Sequence, residues 1–145
     1  DLRDRAVDQF YSKWKNDTLV LDKWFSVQAG SMLPDTLEKI KALCGHPDFS
    51  MTNPNKVRSL IFIFALYNPV HFHDLSGTGY AFTADRILEL DKINQMVAAR
   101  LAGCFNLWKR YDEKRQELMR SQLERIAAAE NLSKNVYEIV SRALE

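Results

Sequence analysis

The sequence predicts an all-α fold. Apolar residues recur at the three- and four-residue intervals of a helix face through most of the chain. No stretch shows the strict alternation of a half-buried strand, and no Asn-Gly or Asp-Gly hairpin signal occurs. Helices of about 10–18 residues with short loops indicate antiparallel pairs. A compact bundle and a curved solenoid of helix pairs both fit, because no clear repeat of about 33–47 residues is visible.

The first three helices are predicted from apolar stripes and end signals. Residues 2–14 carry an apolar stripe, and 19–27 are apolar enough to predict a largely buried helix that ends at Gly30. Asp35 and Glu38 have the spacing of a capping box for a short third helix, which the turn at 45–47 terminates.

A central helix is predicted between two Asn-Pro breaks, Asn53-Pro54 and Asn68-Pro69, each of which places Pro at a first helical position. Ser59–Leu66 is apolar on nearly every side, so we expect this helix to be covered all round by the others.

Four further helices follow in the second half. Residues 84–90 are helical in pattern, and Asn94 is placed to cap a helix whose inner face extends from 96 to 108. Residues 111–129 form the most amphipathic segment, and the turn at Asn131-Leu132-Ser133 precedes a final helix that reaches Leu144.

Composition limits the class of protein. The 145 residues have the size of one domain, with 46% hydrophobic and 27% charged residues. Twenty basic and nineteen acidic residues give a net charge of +1, which offers no reason to expect nucleic acid or an anionic membrane as partner. No apolar run approaches the roughly 20 residues of a membrane span. No signal peptide is visible. The sequence does not determine the compartment, and the cytoplasm is the expected one. The first residue, Asp1, stands in an already periodic pattern and predicts a fragment of a longer polypeptide.

No complete catalytic set is present. His71 and His73 are two residues apart, so on a helix they point in different directions, and no Cys or carboxylate joins them at ligand spacing. We interpret them as packing residues and His46 as a surface turn residue. Gly77-Thr78-Gly79 lacks the Lys-Ser/Thr of a phosphate loop and indicates a turn with positive φ. Cys44 and Cys104 lie on apolar helix faces and are expected to be reduced and inert.

Two arginines have apolar neighbours. Arg58 begins the most apolar helix, and Arg100 lies within a run of Val and Ala. One interpretation is a buried ion pair or a helix-end contact. The other is that both side chains line a cavity and meet anionic groups there.

Several blocks match one family at fitting spacing. They are Leu21-Asp22-Lys23-Trp24-Phe25, Gln28-Ala29, Asn53-Pro54-Asn55, Arg58-Ser59-Leu60, Phe72-His73, Gly77-x-Gly79-Tyr80-x-Phe82, Asn94, Val97-Ala98-Ala99-Arg100, Arg110-Tyr111-Asp112-x-Lys114-Arg115-Gln116, Leu132-Ser133 and Tyr137-Glu138. Over nearly its whole length the chain resembles the C-terminal helical domain of aminopeptidase N, the alanyl aminopeptidase branch of the zinc gluzincins.

The resemblance implies a superhelical solenoid of antiparallel helix pairs, similar to HEAT and armadillo repeats. It implies that residues 1–145 are one C-terminal domain of a larger enzyme that removes N-terminal residues from peptides. In that family zinc is held by H-E-x-x-H and a distant Glu, and G-x-M-E-N binds the free amino terminus. None of these motifs occurs here, so we expect zinc and catalysis to belong to the missing catalytic portion of the same polypeptide. The isolated chain should then be inactive.

The resemblance also implies a role for one face. The C-terminal domain covers the active site in this family and leaves an internal channel for peptide substrates. Arg100 matches an arginine on the leaving-group side of the substrate, and Met96 stands where the family has Gln. We expect Arg100 and Met96 to line the channel, with Arg58 reaching the same space. The competing hypothesis is a free-standing helical-repeat scaffold that binds a partner protein through its concave face.

Overall fold

The computed structural model describes all 145 residues as nine helices without a strand, which confirms the all-α prediction. The helices are α1 (Leu2–Trp14), α2 (Thr18–Ala29), α3 (Thr36–Cys44), α4 (residues 54–67), α5 (Pro69–Phe72), α6 (Thr78–Asp91), α7 (Gln95–Ala102), α8 (Glu113–Ala127) and α9 (Lys134–Leu144). Helix α4 is continuous through Pro54–Val57, Arg58–Phe62 and Ile63–Tyr67, of which the middle part is π-helical.

The helices pack mainly on their neighbours in sequence. Helix α2 contacts α1, α3 and α4, while in the second half α6 contacts α5, α7 and α8, and α9 packs on α7 and α8. The aromatic ring of Phe64 joins the two groups, with its centroid 6.2 Å from that of Phe72 and 5.6 Å from that of Phe82. A single apolar core therefore extends through successive helix pairs.

Helix α4 is not covered on every side, contrary to the prediction. Leu60 and Phe64 are fully buried, but Leu66 and Tyr67 are 50% and 68% exposed. In the π-helical turn of α4 a side chain binds the backbone of the preceding turn: Ser59 Oγ donates to the Lys56 carbonyl at 2.9 Å. The side of α4 that carries Leu66 and Tyr67 is open to solvent, so the apolar pattern alone overestimated its burial.

Helix α2 is also less buried than predicted. Leu21, Trp24 and Phe25 face α1, α3 and α4 and are buried. Leu19 and Val27, on the same helix, are left 69% and 72% exposed.

The cap and turn predictions at Asn94, Ser133 and Gly77 hold. Asn94 accepts from the Val97 amide at 3.2 Å, Ser133 accepts from the Val136 amide at 3.2 Å, and Gly77 has a φ of +79°. The capping box at Asp35 is wrong. Its backbone lies at φ −91° and ψ 9° rather than extended, and its carboxylate pairs with Lys39 at 3.3 Å instead of capping the helix.

The helix predicted over residues 96–108 ends early. Helix α7 stops at Ala102 and is followed by short 3₁₀ turns, Gly103–Phe105 and Trp108–Arg110. Trp108 is nevertheless buried, and its Nε1 donates to the Ala143 carbonyl at 2.9 Å near the end of α9. The 3₁₀ turns redirect the chain after α7 and so place the Trp108 indole against α9.

Helix α6 begins earlier than the pattern predicted, at Thr78. Gly79 permits this because its α-carbon passes close to α5. A Cβ at position 79 would lie 2.6 Å from the Phe72 carbonyl oxygen and closer still to that of His71. The glycine is therefore required by close backbone approach.

Candidate substrate-facing surface

Arg100 and Met96 share one face of α7, as expected for residues four apart on a helix. With Ala99 they line a shallow cavity of about 260 Å³, whose other wall is formed by Asn135, Glu138 and Ile139, from α9. Met96 is 62% exposed at its edge. The two predicted residues therefore do lie together on an open surface.

The Arg100 guanidinium has no partner within the protein. The side chain is exposed, it forms no hydrogen bond to another residue, and no carboxylate lies within 4 Å. Glu138 on the opposite wall is paired with Arg142 at 3.3 Å. The interpretation of Arg100 as half of a buried ion pair is wrong, and its five N–H donors are free to meet another molecule.

Arg58 lies elsewhere. It is exposed on α4, and its Nη1 donates to Asn55 Oδ1 at 3.3 Å. It is not among the residues that line the Arg100 cavity. The buried ion pair is wrong for Arg58 too, and the structure brings Met96 and Arg100 together without it.

His73 is a packing residue, as the sequence indicated. Its Nδ1 lies 2.6 Å from the Tyr80 hydroxyl, and its ring stacks on Tyr111 with centroids 4.3 Å apart. Arg115 Nε donates to the His73 carbonyl at 2.8 Å. Burial lowers the pKa of His73, with Arg115 as a further cause, and burial raises the pKa of Tyr80 to about 12.

His46 is not the surface turn residue that the sequence predicted. It is half-buried, and its ring lies against those of Tyr11, Trp24 and Phe25, with centroids 5.0–5.9 Å apart. Its Nδ1 accepts from the Asp48 amide at 3.0 Å. Proximity to Pro47 in sequence gave no sign of this aromatic cluster.

The chain offers no metal centre and no activated thiol. No group of three or more His, Cys, Asp and Glu side chains could hold a metal ion. Cys44 and Cys104 are free, and burial raises the pKa of both thiols, which makes them poor nucleophiles.

Sequence reasoning missed the α9 side of the cavity. Asn135, Glu138 and Ile139 are about 40 residues from Arg100, and their approach depends on how α9 packs on α7. It also missed Lys56, which is 4% exposed although charged. Its ammonium donates to the Thr18 carbonyl and hydroxyl and pairs with Asp22.

Comparison with known families decides the class of this domain. A family model described as "Domain of unknown function (DUF3458_C) ARM repeats" matches residues 1–145. The chain belongs to this family. The armadillo-type repeats of the DUF3458_C family confirm the predicted solenoid of helix pairs and agree with the neighbour-to-neighbour packing.

Similar proteins confirm the resemblance to aminopeptidase N. The aminopeptidase N of Caulobacter vibrioides is 53% identical over 98% of this chain, and that of Escherichia coli is 44% identical over 98%. A crystal structure of Legionella pneumophila aminopeptidase A in complex with aspartic acid matches 97% of this chain with a TM-score of 0.93 and 41% identity. The chain spans 16% of the length of each of these relatives.

None of the helices has the length and apolar character needed to cross a membrane.

Proposed function

We propose that this chain is the non-catalytic C-terminal domain of a zinc-dependent aminopeptidase, in which it caps the active site and lines the channel for peptide substrates. One observation carries the proposal. The match covers 98% of this chain and 16% of the length of enzymes named aminopeptidase N, at up to 53% identity.

Zinc would be held by the rest of the polypeptide. The residues of this chain do not fit a zinc site, because none of their His, Cys, Asp and Glu side chains form a group of three. No step of the hydrolysis is therefore assigned to this chain. Its contribution is to bind and orient the substrate.

Arg100 is the residue proposed to contact the peptide. Its unpaired guanidinium is exposed on α7 and offers a planar set of hydrogen-bond donors. It would donate hydrogen bonds to a carbonyl or carboxylate beyond the scissile bond, where planar bidentate binding favours such groups. Met96, one turn away, provides an adaptable apolar wall beside it.

Arg100→Ala in the full-length enzyme tests the proposal. We expect the Michaelis constant for peptides to rise about tenfold to hundredfold with little change in turnover, because a charged hydrogen bond made equally in ground and transition states is lost. A small amide with a dye as leaving group has no group to meet Arg100 and should be hydrolysed as before. Steady-state kinetics on both substrates measure this.

Arg110→Ala is the matched control, because Arg110 is exposed and does not line the cavity. It should leave the hydrolysis of both substrates unchanged.

For Arg100→Ala, equal losses of activity on the peptide and the dye substrate, with a lower melting temperature, would show that Arg100 is structural. The scaffold alternative is tested by the complete reading frame, since H-E-x-x-H upstream of this domain would exclude a free-standing protein.

A further inference from the structure

An apolar groove between α1 and α2 has no part in the proposed channel. It is lined chiefly by Arg3, Val7 and Phe10, from α1, and by Lys23, Trp24 and Val27, from α2, and its volume is about 310 Å³. No residue of α1 is buried, and on the groove Phe10 and Val27 are 39% and 72% exposed. Adjoining apolar side chains left in water on two helices are typical of an interface.

Charge at the groove indicates the chemistry of its occupant. Arg3 Nη1 is shielded from water yet has no hydrogen-bond partner, and the nearest carboxylate, that of Asp4, is 3.8 Å away. Lys23 adds a second cation on the α2 side and forms no ion pair. Arg3 has no carboxylate at hydrogen-bond distance and Lys23 has no ion pair, so a carboxylate is the group that best complements this rim of the groove.

Repeat architecture indicates where the occupant comes from. In a solenoid each helix pair buries its faces against the neighbouring pairs, and an end pair without a neighbour leaves one face open. At the other end of this domain α9 packs on α7 and α8, whereas α1 packs chiefly on α2. The relatives are about six times longer than this chain, so most of such a polypeptide lies outside it.

We propose that this groove seats an amphipathic helix from the remainder of the aminopeptidase polypeptide. Its apolar side chains enter between Phe10 and Val27, and an Asp or Glu on the same helix binds the accessible part of the Arg3 guanidinium. This inference rests on the proposed function, because it requires the chain to be part of a longer enzyme.

Hydrogen exchange of the full-length enzyme tests the inference. Val27→Asp places a charge in the groove, and we expect the α1 amides to exchange at least about tenfold faster than in the parent. Leu19→Asp is the matched control, because Leu19 is 69% exposed on the same helix and does not line the groove. It should leave the α1 amides unchanged.

The same variant is also measured in the 145-residue chain alone. Val27 is already in water there, so Val27→Asp should change neither its melting temperature nor the exchange of α1. Equal loss of protection in the short chain and the full enzyme would mean that the variant damages α2 itself, and would overturn the inference. Unchanged exchange in the full enzyme would overturn it as well.

Sedimentation of the 145-residue chain tests the alternative occupant, a second copy of the chain. A dimer of the 145-residue chain that Val27→Asp abolishes would assign the groove to a second copy instead. None of these measurements depends on peptidase activity. A negative result for Arg100→Ala would therefore not affect the inference about the groove. A reading frame limited to this chain would overturn the proposed function and the inference together, whereas unchanged exchange in a long enzyme overturns the inference alone.

Discussion

At His73, contacts to one residue tie several helices together. Tyr80 binds the ring nitrogen, Tyr111 stacks on the ring, and Arg115 binds the carbonyl. These contacts join the end of α5 to α6 and α8. Burial in this cluster favours the neutral imidazole, so protonation opposes folding.

This residue predicts a pH dependence of stability. The pKa of His73 is lower in the folded chain than in the unfolded one, so the unfolded state binds the proton first. Its contribution to stability is therefore present above about pH 6.5 and falls as the solution becomes more acidic. Urea unfolding should give a smaller free energy at about pH 5.5 than at about pH 7.5.

Two variants locate that effect. His73→Phe keeps a ring against Tyr111 and should flatten the dependence. Tyr80→Phe removes the hydrogen bond but keeps the titrating imidazole, and should retain it. Asp74 and Asp112, whose pKa values are lowered, contribute above about pH 4 and so do not vary in this window. An unchanged pH profile in His73→Phe would show that another group is responsible.

At the scale of the element, capping separates helices with similar sequence signals. Asn94 and Asp35 both precede a helix, but only Asn94 has extended backbone and a side chain that accepts from the helix amides. The turn from Ser31 to Asp35 keeps the backbone of Asp35 out of the extended conformation that Asn94 has. Thr36 Oγ1 there donates to the Leu33 carbonyl at 2.7 Å.

The caps therefore make a paired prediction. Asn94→Ala should lower the free energy of unfolding by about 1 kcal/mol, because the Val97 amide loses its acceptor. Asp35→Ala should cost less than about 0.5 kcal/mol, since it loses only an exposed pair with Lys39. Denaturant unfolding of both variants measures the difference, and equal losses would contradict the assignment of the caps.

At the scale of the whole molecule, the domain is a stack of helix pairs with local contacts. Phe64 is the aromatic link between its two halves, and one apolar core extends through both. The exposed features are an arginine face on α7 and an apolar groove at α1. We propose that the first contacts a peptide substrate and the second a helix from the rest of the polypeptide.

This organisation predicts that the isolated chain neither binds stoichiometric zinc nor hydrolyses peptides. No ligand set for the metal is available, and zinc needs at least three protein ligands in a catalytic site. Metal analysis of the purified chain and a chromogenic aminopeptidase assay measure the two properties. Activity that co-purifies with the chain and scales with its amount would contradict the prediction.

Features set by a few neighbouring residues were determined by the sequence itself. The helical periodicity, the caps at Asn94 and Ser133 and the positive φ of Gly77 depend on contacts within one or two turns. The motif blocks also sufficed for the family, because they match the aminopeptidase N pattern along nearly the whole chain.

Only the tertiary structure decided which faces are covered and which residues meet. Large apolar residues are buried at Phe64 and exposed at Leu66 and Val27, according to how fully other helices cover each side. The wall of Asn135 and Glu138 beside Arg100 exists because α9 packs on α7, about 40 residues away in sequence. Local patterns state which residues prefer burial, but the packing of distant helices determines how many of them obtain it.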